Sequence, residues 1–390
     1  MNIRGTNIKT SFRYILGITT IVCCSCATER LPGSVGVLSV DYHNMDEPVR
    51  MTSFLSPDYK LIPLDCPTKE AMIGTVSRLL AADGKIFIVD SQSDRIVAFT
   101  DNGRFVASTQ GMIGHGHNEY LRMTDAVLDA GRQAIYMFCD APYCVFTLDL
   151  NLNFVSRTDL DFYASSAATD GDFVYCLAHD AGTPWKKKVL SLPLSDLSAK
   201  PSVILDTDKG VKGLSTIGES LSSYNGHAYA CLPFDNKIYQ LDGGRVSHTF
   251  VVDFGRGGVN DDELMSHPDG YQFSKRNEDK NWMVTNIAVS DSTMMFNTNT
   301  NQTFIANTSS SVCNSYQRLS PDILPFANSR WITVSGKSPA VAQVITPKTI
   351  RHYVEQTGRN ADTMDAAWRK ACSVADSNMY NPVLVIYYIK

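Results

Sequence analysis

A strand–turn–strand unit recurs along this chain, and no other feature restricts its fold as much. The unit reads most clearly at Ile86-Phe-Ile-Val-Asp-Ser-Gln-Ser-Asp-Arg-Ile-Val-Ala-Phe99. It returns at Ile135-Tyr-Met-Phe-Cys-Asp-Ala-Pro-Tyr-Cys-Val-Phe-Thr-Leu148, where Tyr136 and Val145 keep the spacing of Phe87 and Ile96. Tyr229 and Ile238 keep it again within 228–241. A fourth copy pairs Phe173–Leu177 with Val189–Leu192 across a longer loop. A fifth, more polar copy spans Asn286–Val289 and Met294–Asn297, and a sixth strand set spans Arg330–Val334 and Val341–Ile345. Hairpins repeating at roughly 40–50 residues are the sequence signature of propeller blades, so the expected fold is all-β, a six-bladed β-propeller.

The clearest blade predicts an inner strand at 76–81, a middle pair at 85–89 and 95–99, and an outer strand at 104–109. Asp83-Gly84 and Asn102-Gly103 read as two-residue hairpin turns, where Gly supplies positive φ and Asp or Asn tolerates it. The glycines of Gly111-Met-Ile-Gly-His-Gly-His-Asn-Glu-Tyr120 permit a reversal from the outer strand to the next blade. A propeller must also close by pairing strands from its two ends, since an open blade would expose an edge; 37–42 and 383–389 are the candidates. Met364, Ala367, Trp368, Ala371, Cys372 and Ala375 share one face at helical spacing, which predicts a short amphipathic helix before the closing strand. The polar insertion 259–282, with Asp261-Asp262-Glu263, reads as a solvated loop, with a cap over the channel mouth as the alternative.

Leu61–Leu64, Ile73-Gly74, the strand 83–90, the connector Ile113-Gly-His-Gly-His-Asn-Glu-Tyr120 and the C-terminal 381–390 resemble the six-bladed β-propeller lipoproteins of gut-type bacteria, relatives of NHL-repeat propellers. The resemblance covers about residues 36–390. That family's connector commonly reads Gly-Arg-Gly-Pro-Gly-Glu-Tyr, whereas His115, His117 and Asn118 stand here in place of its Arg, Pro and third Gly. The resemblance implies a fold rather than an activity.

Arg4, Lys9 and Arg13 precede an apolar run from Tyr14 to Cys24, the layout of a secretory signal and too short to span a bilayer. The run ends in Cys23-Cys24-Ser25-Cys26, similar to a bacterial lipobox, with Cys26 as the acylated residue and Cys24 as the alternative. The chain therefore divides into a lipoprotein signal (1–25), a tether with closing strand (26–57) and the propeller (58–390). Several acyl chains hold a protein stably on a membrane where one does not; an outer-membrane-anchored lipoprotein, periplasmic or surface-exposed, follows. Loss of the signal removes three basic residues and no acidic ones, leaving 32 Lys and Arg against 40 Asp and Glu, net −8. Nucleic acid is excluded, because its phosphates demand a basic stripe. Lys186-Lys187-Lys188 reads as a solvated loop tip.

Seven cysteines follow Cys26, an odd number at irregular spacing, so they form no disulfide framework. Cys139 and Cys144 flank the turn Asp140–Tyr143 and face each other, a candidate disulfide. No nucleophile elbow, His-Glu-x-x-His or phosphate-cradling loop occurs. The ligand-binding candidates are His115, His117 and Glu119 of the connector, His179 and His227 near strand ends, and Trp185 at the long hairpin loop. The function these features favour is a non-catalytic module that binds a glycan, peptide or protein partner, with no cofactor and no metal. The alternative is a metal-dependent propeller lyase or hydrolase. It requires three or more of His115, His117, Glu119, His179, Asp180 and His227 to converge at the axis.

Overall fold

The computed structural model describes residues 33–43, 45–180, 183–206, 220–232, 234–259, 269–300, 302–324, 331–358, 365–374 and 380–390, with side chains described outside 179–187. The signal segment, Asp261-Asp262-Glu263, Met364 and Ala375 lie outside them. Residues 32–390 form one compact unit.

The chain is predominantly β, with curled sheets. After β1 (Ser34–Asp41), β2 (Val49–Arg50) and β3 (Leu55–Pro63), four-stranded antiparallel meanders follow in sequence order. They are β4 (Val76–Ala82) to β7 (Phe105–Ser108) with β5 (Lys85–Asp90) and β6 (Arg95–Thr100) between. Next come β8 (Met123–Asp129), β9 (Ala134–Asp140), β10 (Tyr143–Asp149) and β11 (Phe154–Asp159), then β12 (Tyr163–Thr169), β13 (Phe173–Asp180), β14 (Thr183–Pro193) and β15 (Ser202–Asp206). The sequence continues with β16 (Leu221–Tyr224), β17 (His227–Cys231), β18 (Lys237–Asp242) and β19 (Arg245–Asp253), and with β20 (Val284–Val289), β21 (Thr293–Thr298), β22 (Thr303–Asn307) and β23 (Val312–Tyr316). Beyond the short β24 (Leu319–Ser320), a last meander joins β25 (Ile332–Ser335), β26 (Ala340–Ile345) and β27 (Val383–Ile389) to β3 from the other end of the chain.

The middle strands explain why these runs are continuously apolar rather than alternating. β5, β6 and β9 are buried on both faces, because each meander packs against the next. One core cluster joins Leu80, Phe87 and Ile96 to Ala126, Ile135 and Phe146; another joins Val127, Phe138 and Val145 to Ala167, Val174 and Cys176. A third joins Tyr175 and Leu177 to Ala230 and Tyr239, and a fourth joins Ile62, Val334 and Leu384 to Leu79, Ile88 and Val97. The outer strand β11, with only one neighbour, is half-exposed. First strands of neighbouring meanders lie side by side, β8 against β4 and β12, β16 against β12 and β20, and β25 against β20 and, in parallel register, β4.

Several expectations change. β27 closes on β3, with Val383 opposite Pro63 and Tyr387 opposite Tyr59, and not on 37–42. That segment is β1, which runs parallel between two outer strands, β19 and β23. The tether–propeller boundary at 57/58 therefore falls inside the closing strand. The pair β13–β14 continues to Asp180 and Thr183, so no long loop separates them and 186–188 lie in a strand. Asp83 and Gly84 do take φ of 50° and 67°, but the Thr100 N–H reaches Arg104 O, making a three-residue loop with Gly103 alone at positive φ. The polar insertion carries a helix, α1 (Gly270–Arg276), whose Phe273 is buried against Phe234 and Trp282.

The expected C-terminal helix is α3 (Ala366–Ser373), preceded by a further helix, α2 (Pro347–Thr357). Asp365 caps α3 by accepting from the Trp368 N–H, and Trp368 and Ala371 are buried against the core. A capped helix with one apolar face needs a platform, and β3 supplies it through Tyr59, whose hydroxyl accepts from Trp368 Nε1.

Candidate functional site

The first strands share a local device. Register slips between Val76 and Arg78, Met123 and Asp125, and Ala164 and Ser166. The bulged residue is each time a hydroxyl that donates to the second strand: Ser77 to Val89 O at 2.8 Å, Thr124 to Phe138 O at 3.3 Å and Ser165 to Leu177 O at 3.0 Å. A bulge re-aims the residue beside it, and here those residues are Arg78, Asp125 and Ser166.

Arg78, 2% exposed, crosses from β4 to donate to Ala167 O of β12 at 2.7 Å and Leu221 O of β16 at 2.8 Å. Its guanidinium also meets the Asp125 carboxylate at 3.0 Å. Asp125 accepts from the Ala126 and Ala167 N–H groups, both at 2.8 Å, and from the Ser166 hydroxyl. Burial pushes the Asp125 carboxyl up, against the opposing pull of Arg78 and the backbone donors. An ion pair thus fills the space where four first strands approach.

The connector histidines lie elsewhere. Gly114, His115, Gly116, His117, Glu119, Leu121, Ala141, Pro142 and Arg157 line a groove of ≈ 480 Å³. Arg157 belongs to β11, the strand of its sheet farthest from β8, so the groove stands towards the rim. Its charged groups are already engaged. Glu119 folds back to accept from the Gly116 N–H at 2.7 Å, and a Cβ at Gly114 would fall 2.1 Å from that carboxylate. Arg157 donates to His117 O at 2.7 Å and pairs with Asp159 at 2.6 Å. His115 and His117 are exposed. Tyr143, 44% exposed, flanks the groove beside Pro142 and meets the Tyr163 ring at 6.2 Å. Below the turn, Asp140 Oδ1 is buried without a hydrogen-bond partner, whereas Asp90, at the same place in the preceding meander, accepts from Gly74 and Thr75.

The structure therefore gathers His115, His117 and Glu119 but does not bring them to the axis with His227. His227 sits at the opposite end of its sheet, beside the β16–β17 turn, with Nδ1 2.5 Å from Asp242 Oδ1. Burial acts to raise the Asp242 carboxyl, but hydrogen bonds from Ser247, His227 and Gln240 hold it below the usual carboxylate range. His179 pairs in register with Tyr163, at the groove end of the next sheet; the side chains of His179, Asp180 and Trp185 lie outside the described residues. Among the described residues no group of three or more His, Cys, Asp and Glu is arranged to hold a metal ion. Cys139 and Cys144, the candidate disulfide pair, stand directly opposite each other across the hairpin as free thiols.

The sequence reading missed the axial ion pair and Tyr143. A signal for the first was present: a hydroxyl residue followed by a polar one recurs at the start of each early first strand, in Ser77-Arg78, Thr124-Asp125 and Ser165-Ser166.

Residues 37–388 match the family model for a domain of unknown function, DUF4934. The chain belongs to the DUF4934 family. Among solved structures, this DUF4934 chain is similar to a Bacteroides fragilis protein provisionally described as exported, at 14% identity and a TM-score of 0.66, over 92% of this chain and 100% of that one. That similarity concerns the fold. The chain also matches a chain of a nidogen–laminin complex (9% identity, TM-score 0.39, 67% of this chain and 100% of that one). A further match is the β-propeller domain of Cps50 from Myceliophteria thermophila (10%, 0.36, 60% and 67%). No curated protein matches it.

Proposed function

We propose that this chain is an exported, lipid-anchored, six-bladed, NHL-like propeller whose connector groove binds a glycan segment without catalysing a reaction. The blade count is supported by the meanders β4–β7, β8–β11, β12–β15, β16–β19, β20–β23 and β25–β27 with β3, whose first strands adjoin in turn. Export is supported by the N-terminal signal pattern and by the description given to the B. fragilis protein. Anchoring through Cys26, or Cys24, rests on the lipobox pattern alone.

One observation carries the choice of ligand. Both charged side chains lining the groove are engaged within the protein, while two exposed imidazoles, Pro142, Leu121 and the neighbouring Tyr143 face outward. Imidazole hydrogen-bonding groups beside an amphipathic ring suit a sugar, whose apolar face stacks while its hydroxyls bond. Between the first strands the Asp125 carboxylate is already engaged by Arg78, and no metal-holding set of His, Cys, Asp and Glu gathers there among the described residues, which favours binding over a metal-dependent lyase or hydrolase.

The test is a glycan microarray probed with the full exported chain and a His117→Ala/Tyr143→Ala variant. The wild type is expected to select one glycan class, with affinity falling about tenfold or more in the variant. Equal binding by both proteins, or selection from peptide arrays instead of glycans, overturns the assignment.

A further inference from the structure

Strand β1 fixes where the chain joins the body. It runs parallel to β19, with Ser34 opposite His248 and Ser39 opposite Asp253, and its last residues run parallel to β23. β19 starts at the Gly243-Gly244 turn and ends where the next connector begins. β1 therefore starts opposite the fourth residue of β19, about 10 Å from the end of the sheets that carries the Asp83-Gly84, Asn225-Gly226 and Gly243-Gly244 turns. It finishes at the end that carries the connectors, α1 and the groove.

The joint is fastened. Ser34 Oγ lies 2.5 Å from His248 Nδ1 and also meets Ser247 O. Gly33 adopts φ +76°, and a Cβ there would stand 2.7 Å from Ser247 O. Val35 and Val37 next to the joint, and Val312 on β23, are half-exposed at 51%, 49% and 46%.

We infer that the turn end, with the β1 valines, faces the lipid surface and that the connector face is held away from it, open to soluble or extended ligands. This rests on the proposed acylation at Cys26. Seven residues, 27–33, separate that cysteine from β1, a reach of at most about 25 Å fully extended and about 15 Å as a flexible chain. The eight residues of β1 rise through about 26 Å. The groove end is therefore separated from the joint by more than the tether's usual span. The body can approach the bilayer by its turn end with a relaxed tether, whereas inversion requires a fully stretched one. The valines reinforce the choice, because apolar area beside an anchor gains from contact with the interface.

The test uses the full lipidated chain on phosphatidylethanolamine–phosphatidylglycerol vesicles containing nitroxide-labelled lipid. A genetically encoded fluorescent amino acid replaces either Arg245, exposed at the turn end, or Tyr271, 61% exposed on α1 at the connector end. Loss of fluorescence at position 245 with retention at 271 is expected. Loss at 271 with retention at 245, or equal loss at both, overturns the orientation. The anchor is read separately, from the mass of the N-terminal peptide and from flotation of the wild type against a Cys24→Ala/Cys26→Ala variant. An unacylated chain that does not float overturns the anchoring itself.

Discussion

Replacing Arg78 by Met tests whether the axial ion pair organises the fold. The side chain is 2% exposed and engages Asp125, Ala167 O and Leu221 O, so its loss leaves Asp125 charged in a buried site and removes the donors at the two carbonyls. Removing one member of a buried ion pair typically costs about 3–5 kcal/mol, because the remaining charge is uncompensated. A second change, Asp125→Asn in the same chain, removes that charge while Oδ1 can still accept from the Ala126 N–H. Part of the loss should therefore return, with a coupling of about 0.5–3 kcal/mol.

The pH dependence has a defined sign. Burial raises the Asp125 carboxyl, and Arg78 opposes that rise. A group whose folded value is raised contributes stability that is complete below its unfolded value, about 3.9, and is lost as pH climbs through the folded one. Without Arg78 the rise is larger, so the deficit of Arg78→Met should be greatest at neutral pH and shrink on acidification. Urea denaturation of wild type, single and double variants at neutral and acid pH reads all three effects. A single variant within about 1 kcal/mol of wild type, the level of an exposed pair, with a pH-independent difference, refutes the reasoning.

Gly114→Ala should open the connector, because its Cβ would stand 2.1 Å from the Glu119 carboxylate; faster amide exchange across 113–120 at unchanged global stability is expected, and unchanged exchange counts against the fold-back role. Cys139 and Cys144, free and directly opposite each other across a hairpin, should join when the chain is refolded with an organic disulfide as oxidant, each bond formed yielding two small-molecule thiols; non-reducing peptide mapping that finds both thiols alkylatable rejects this. Asp242, held low by its hydrogen bonds, contributes stability that is present above the ordinary carboxylate value and lost as pH falls through its lower folded one; Asp242→Asn should flatten the acid limb of the stability profile, and an unaltered limb would show the network to be inert.

The meanders were legible because a middle strand buried on both faces leaves an apolar run ended by turn residues, as in 86–99 and 135–148. The closing strand was misplaced because Val37–Tyr42 and Leu55–Pro63 carry similar β signals. Pairing partners far apart in the chain leave no local mark. α1 escaped notice because only Phe273 and Gly270 of its residues are buried, too few to set a helical period. The connector histidines were visible as residue types, but the groove beside them depends on Pro142 and Arg157, from the neighbouring hairpin and an outer strand, and their convergence is tertiary. The axial pair was hidden for the same reason: Arg78 and Asp125 belong to different meanders, and only the bulges turn them towards each other.

The most direct test of the central claim is a hydrogen-exchange footprint of the full chain with a glycan selected on the microarray. Protection confined to 113–121 and 141–143, unaffected by a metal chelator, is the predicted result. Protection centred on 76–82, 123–129 and 163–169, or binding abolished by the chelator, would place the ligand at the axis and contradict the account.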